Sequence, residues 1–235
     1  MNITPDQHRR WVSSFFKEKV GEFEFFLRSI IECCDQSMQR FRNGEQSDVE
    51  KERRIVYSFS AFTNTIQTLK DAGSTFLSPK ITWSDIKDLR HGNFMWLSRN
   101  AATHDGHPVI SAWADGLYYV PNDIERFDSK GELIRIPAPT VDVSQFCLEF
   151  AKDFCECLST RLVSLGSAPK APPNLAEIQH FFLSSSVVPD FARELFRQNQ
   201  DLIESAISQI KYDPVSDAVE SLLSISRFCE ARLNG

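Results

Sequence analysis

Apolar residues recur at steps of three and four over residues 7–42. Val12, Phe16, Val20, Phe23, Leu27, Ile30, Cys34, Met38 and Phe41 form one stripe, which predicts a long helix burying a single face. Asn43-Gly44 ends it, because both residue types tolerate a left-handed cap. A second stripe, Ile55, Phe59, Phe62, Ile66 and Leu69, predicts a helix over 50–72 closed by Gly73. Ser78-Pro79 breaks the chain. Thr82-Trp83-Ser84-Asp85 then has the form of a capping box, and a third helix is expected over about 83–104, stopped by Asp105-Gly106. A fourth, over about 142–165, buries Val143, Phe146, Phe150, Phe154, Leu158 and Leu162 and ends at Gly166.

Between the third and fourth helices the period changes from helical to alternating. Val109–Trp113 and Leu117–Val120 flank Asp115-Gly116, a strong hairpin turn signal. Ile124–Phe127 and Leu133–Ile136 flank a second turn at Asp128-Ser129-Lys130-Gly131. The expected fold is therefore mainly α: a four-helix bundle with a small antiparallel β insertion over about 107–137. Ala168–Pro173 reads as a linker. The expected domains are a helical unit over 1–167 and a helical appendage over 174–235. The appendage would hold helices near 174–183, 189–211 and 214–233, the last capped by Asp213 with Pro214 in its first turn.

Composition fits an ordinary globular chain, 42% hydrophobic and 25% charged, with 19 phenylalanines promising aromatic packing. The net charge of −6 excludes a general coater of nucleic acid, which needs a basic surface. Residues 1–73 carry 11 basic and 11 acidic side chains, residues 74–106 carry 4 and 3, and the acid excess lies beyond. A local RNA contact in the first part is compatible with that balance. The N-terminus is polar as far as Arg9-Arg10, so no secretory signal is read. The six cysteines are expected to be reduced thiols in a cytoplasmic protein. Cys33-Cys34 and Cys155-x-Cys157 lack the CxxC spacing of a zinc site, and no run is apolar enough to span a membrane. Neither a cofactor nor a metal is expected.

The chemistry concentrates at the end of the third helix, in Arg99-Asn100-Ala101-Ala102-Thr103-His104-Asp105-Gly106. Asn100 and His104 share a face, and Arg99 stands about 140° round from His104 at roughly 100° per residue. Histidine is suited to removing a proton from a ribose 2′-hydroxyl near neutral pH. Arginine's planar fork stabilises charge building on a phosphate. Asn100 would orient the histidine or the phosphate. Since the 2′-hydroxyl is the nucleophile, DNA would not be cut.

Arg99 through His104 matches the R-x(4–6)-H signature of the HEPN superfamily, with a polar residue directly after the arginine, and Leu89-Arg90-His91 precedes it. The order of elements over about residues 7–165 is also similar to the HEPN bundle. This resemblance implies a homodimer whose paired motifs line one cleft. It implies a metal-independent endoribonuclease of toxin–antitoxin or antiphage systems, with an antitoxin or other protein partner, or else an inactive module that binds RNA or nucleotide or mediates assembly. Gly106 stands where toxins paired with nucleotidyltransferase antitoxins usually carry tyrosine.

The site expected is thus Arg99, Asn100 and His104 as catalytic residues, with His91 and His107 in support. Bland alternatives remain open: His104 as a helix-capping residue, Arg99 as a surface ion-pair partner, Asn100 as a polar face residue. Trp83, Trp96 and Trp113 read as core rather than base-stacking platforms, and Glu18, Glu22 and Glu24 as a solvated face. No P-loop, dinucleotide glycine pattern or nucleophile elbow is visible.

Overall fold

Thr4 opens the first helix through a capping box with Gln7, and α1 (Pro5–Arg42) follows to Asn43. The computed structural model describes residues 4–46, 49–164, 175–209 and 213–235. The stripe is buried from Phe16 through Cys34, while Phe41 at the helix end is exposed and meets Trp113 edge-on at 6.1 Å. α2 (Val49–Phe76) runs antiparallel hairpin-fashion against α1 and continues through Gly73. Gly73 does not close the helix. Leu77 N–H donates to its carbonyl at 2.8 Å, and a side chain there would press on Leu77 and Ile81.

The expected third helix is two. α3 (Trp83–Lys87) starts at the anticipated Thr82/Asp85 capping box, and α4 (Gly92–Asp105) carries the motif. The break between them is a local turn, with Leu89 N–H donating to the Ile86 carbonyl and Gly92 N–H to the Leu89 carbonyl. His91 is left-handed at φ 58°, and a Cβ on Gly92 would lie 1.8 Å from the Ile86 carbonyl oxygen. Only glycine permits that approach, so the chain turns before α4 can begin.

The insertion forms two separate hairpins rather than one sheet. β1 (Ala112–Ala114) pairs antiparallel with β2 (Leu117–Tyr119), and β3 (Ile124–Phe127) with β4 (Leu133–Ile136). Asp115 and Gly116 both take positive φ, as the turn signal requires. α5 (Val143–Val163) is capped by Asp142; Gly166 and the expected linker lie outside the described residues.

The described chain end is helical, and its helices pack in two different places. α6 (Leu175–Ser184), α7 (Asp190–Gln198) and α8 (Gln200–Gln209) pack on one another, with Phe182 stacked on Phe196 at 5.1 Å. Asn199 divides the expected 189–211 helix into α7 and α8. α9 (Pro214–Asn234), by contrast, lies against α1 and α5 and places Val215, Ala218, Leu222, Ile225 and Cys229 in the same core. Its apolar face has nowhere else to be buried. Lys17–Asp217 at 3.2 Å and Arg28 over the Phe228 ring at 4.1 Å fasten it to α1.

The centre of the bundle is phenylalanine. Phe16, Phe23, Phe59, Phe62, Phe146, Phe150 and Phe154 are fully buried and meet in edge-on and tilted pairs, with Phe150 stacked on Phe154, each ring contributing roughly 1.5–3 kcal/mol by leaving water. Cys34, Cys147, Cys155 and Cys229 are buried free thiols, and burial pushes their pKa values up, Cys229 to about 12. Among the described residues, no helix is long and apolar enough to cross a membrane.

Candidate functional site

α4 packs across α2, and this contact fixes the motif. Arg99 is half-buried. Its Nε donates to Asn64 Oδ1 at 3.4 Å, and one terminal nitrogen donates to Asn100 Oδ1 at 3.0 Å. Thr103 Oγ1, one turn on, reaches the same Asn64 oxygen at 3.3 Å. Asn64 is itself anchored, its Nδ2 donating to the Ser60 carbonyl at 2.9 Å. Two neutral amides therefore hold the guanidinium.

Among the described residues no carboxylate forms an ion pair with Arg99. Arg28, Arg54, Arg90, Arg126, Arg161 and Arg232 all have one. The carboxylate that senses Arg99 is Asp71. Burial pushes that group up, but hydrogen bonds from Lys70 and Gln67 and the charges of Lys70 and Arg99 bring it below its usual value. Asp71 is thus already served by Lys70 and Gln67, and the charge of Arg99 stays available to an anion.

His104 lies in the last turn of α4 and is exposed. Gly106, left-handed at φ 64°, caps the helix, and both Gly106 and His107 donate their N–H groups to the Ala101 carbonyl. Among the described residues the His104 ring makes no hydrogen bond or ion pair. Asp105 beside it is held by Arg126 of β3, whose hydrogen bond keeps that carboxyl below its usual range, with His104 and His107 adding smaller contributions. His107 is exposed just past the cap.

Within one chain the expected trio does not converge on one group. Arg99 and Asn100 meet each other, Arg99 turns toward α2, and Asn100 Oδ1 serves the guanidinium rather than the imidazole. His91 lies at the opposite end of α4. Its Nε2 lies 2.7 Å from Glu149 Oε2, and Arg90 beside it grips Asp153 with two bonds of 2.7 Å, so this junction ties α4 to α5. Burial pushes Glu149 up, yet hydrogen bonds from Gln145 and His91 leave its carboxyl below the usual value.

Asn64 is the site residue that the sequence does not single out. It sits in a polar run, Thr63-Asn64-Thr65, within a helix otherwise read from its apolar stripe, and that run is the only local signal. Among the described residues no group of three His, Cys, Asp or Glu side chains is arranged to hold a metal ion. Comparison with protein-family models, with curated proteins and with solved structures finds no match to this chain.

Proposed function

We propose that the α2–α4 face binds a phosphate of RNA through Arg99, and that two copies of the chain meeting about this face form a metal-independent endoribonuclease of the HEPN type. The observation that carries this reading is the half-buried guanidinium of Arg99, positioned by two amides and paired with no carboxylate among the described residues. A guanidinium positioned by neutral groups keeps its charge for a ligand, and a phosphate is the ligand whose geometry the arginine fork matches.

Arg99 and His104 leave α4 about 140° apart. In the proposed enzyme the pair is therefore completed between copies, Arg99 of one chain facing His104 of the other across a two-fold axis. His104 takes the proton of the ribose 2′-hydroxyl. The 2′-oxygen bonds to phosphorus as the bond to the 5′-oxygen breaks, the 5′-oxygen leaves as a hydroxyl with a proton taken from solvent water, and a 2′,3′-cyclic phosphate results. Arg99 neutralises the charge that builds on the non-bridging oxygens. A toxin or antiphage effector with a silencing protein partner is the setting that the HEPN resemblance implies for such an enzyme.

The test is RNA cleavage by the purified chain, by Arg99→Ala and by His104→Ala. Cleavage should end in a cyclic phosphate, be lost in both variants, and fail on RNA carrying 2′-deoxyribose at the cut. Full activity in both variants would refute the assignment. A second reading, RNA or nucleotide binding without cleavage, is favoured by the His104 ring, which among the described residues has no partner that orients it. RNA binding that needs Arg99 but not His104, with no product, would decide for it.

A further inference from the structure

α2 carries more than Asn64 on its outward side. Tyr57 lies seven residues before Asn64, two helical turns and ~10 Å along the same face. Beside Tyr57 opens a cavity of about 450 Å³, walled by α2, by the segment that follows His107, and by the β1–β2 hairpin. Its aromatic lining is Tyr57, Trp113 and Tyr118, with Pro108 and Ile110 completing an apolar wall and Glu52 and Arg53, of opposite charge, at the α2 edge. The volume falls within the range of small-ligand pockets.

The walls differ in how they are held. Trp113 is fixed: its indole N–H donates to Ser37 Oγ at 2.8 Å, and Phe41 meets the ring edge-on. Tyr118 is buried, whereas Tyr57 is 67% exposed and presents its ring to solvent. Arg53 makes no ion pair among the described residues. A second depression on the other flank of Tyr57 is lined by Phe26 of α1 and by Glu50, Arg53 and Arg54 of α2, where Arg54 is paired with Glu32.

We propose that the cavity between Tyr57 and Trp113 is a nucleobase subsite, taking one unstacked base of a single-stranded RNA whose phosphate lies on Arg99. This rests on the RNA reading of Arg99 and assigns the β1–β2 hairpin a role in substrate binding. The chemistry is that of single-strand recognition: aromatic faces accept any base, and an uncommitted arginine beside them meets the backbone. A paired duplex cannot present a base to such a cavity, so the substrate is unpaired RNA. The acidic chain as a whole requires a local contact of this kind rather than a broad basic surface.

The experiment uses the full chain carrying His104→Ala, so that RNA stays intact, and a short labelled oligoribonucleotide beside its abasic ribose-phosphate counterpart. Tyr57→Ala should weaken binding of base-bearing RNA roughly tenfold, Tyr57→Phe should restore it, and the abasic chain should bind both proteins alike. Because Tyr57 is exposed, the thermal midpoint of Tyr57→Ala should match that of its parent. If Tyr57→Ala binds base-bearing RNA as tightly as its parent while Arg99→Ala does not bind, the base subsite is overturned and the phosphate site stands. Equal loss of the abasic chain in Tyr57→Ala overturns the subsite as well. If the parent binds no RNA, the reading of Arg99 falls and the subsite falls with it.

Discussion

Asn64 Oδ1 lies 3.4 Å from Arg99 Nε, and the same oxygen accepts from Thr103 at 3.3 Å, so one amide of α2 sets two side chains of α4. The acceptor is neutral. It orients the guanidinium without cancelling its charge, which a carboxylate in the same place would do. Asn64→Asp therefore separates orientation from charge. The substituted protein loses the Nδ2 donor to the Ser60 carbonyl and gains an ion pair with Arg99, opposing effects of about 1 kcal/mol each, so its stability should change little. Its RNA affinity, measured by fluorescence anisotropy, should fall at least about tenfold because the new ion pair competes with phosphate. Unchanged affinity would mean that RNA does not use the charge of Arg99.

The α3–α4 junction makes a second demand. Gly92 brings its Cα so near the Ile86 carbonyl that a methyl group would overlap it at 1.8 Å. The obstacle is backbone, not a flexible side chain. Gly92→Ala should lose roughly 2–4 kcal/mol in urea unfolding or fail to fold. His91→Gly should relieve the left-handed backbone at that position while giving up the Glu149 contact, and so change stability far less.

Acid should weaken the same region. The two hydrogen bonds from Arg90 hold the Asp153 carboxyl below its usual range against the opposing effect of burial. At Glu149 burial acts upward and is outweighed by Gln145 and His91. A carboxyl whose folded pKa is depressed contributes stability that is full above its unfolded value, about 4, and lost as pH falls through the folded value. The urea midpoint should therefore decline between about pH 5 and pH 3. Asp153→Asn with Glu149→Gln should lower stability at neutral pH and flatten that decline. An undiminished slope in the double variant would place the acid sensitivity elsewhere.

The helices and hairpins were legible wherever local chemistry decides. The stripe from Phe16 to Cys34, the Thr82/Asp85 box and the Asp115-Gly116 turn each carry their own signal, and the structure places each where that signal lies. The misses lie where packing rather than periodicity decides. Gly73 and Gly106 are the same residue type, yet only Gly106 adopts the left-handed cap, because Gly73 is packed under Leu77 and Ile81. His91 breaks the third helix because Ile86 crowds Gly92, which no periodicity reveals. The face of α9 could be read as amphipathic, but not that α1 and α5 would cover it. Arg99 and His104 were legible as types at a spacing. That Arg99 would turn to Asn64, 35 positions earlier, was not.

The proposed pairing of Arg99 with His104 between two chains is open to direct measurement by mixing. Arg99→Ala and His104→Ala chains, each inactive alone, are unfolded together, refolded and assayed for RNA cleavage. If each site takes arginine from one copy and histidine from the other, the mixed dimers rebuild one intact site, and about a quarter of parental activity should return. If both residues act from the same chain, or if no dimer forms, the mixture should stay as silent as its components.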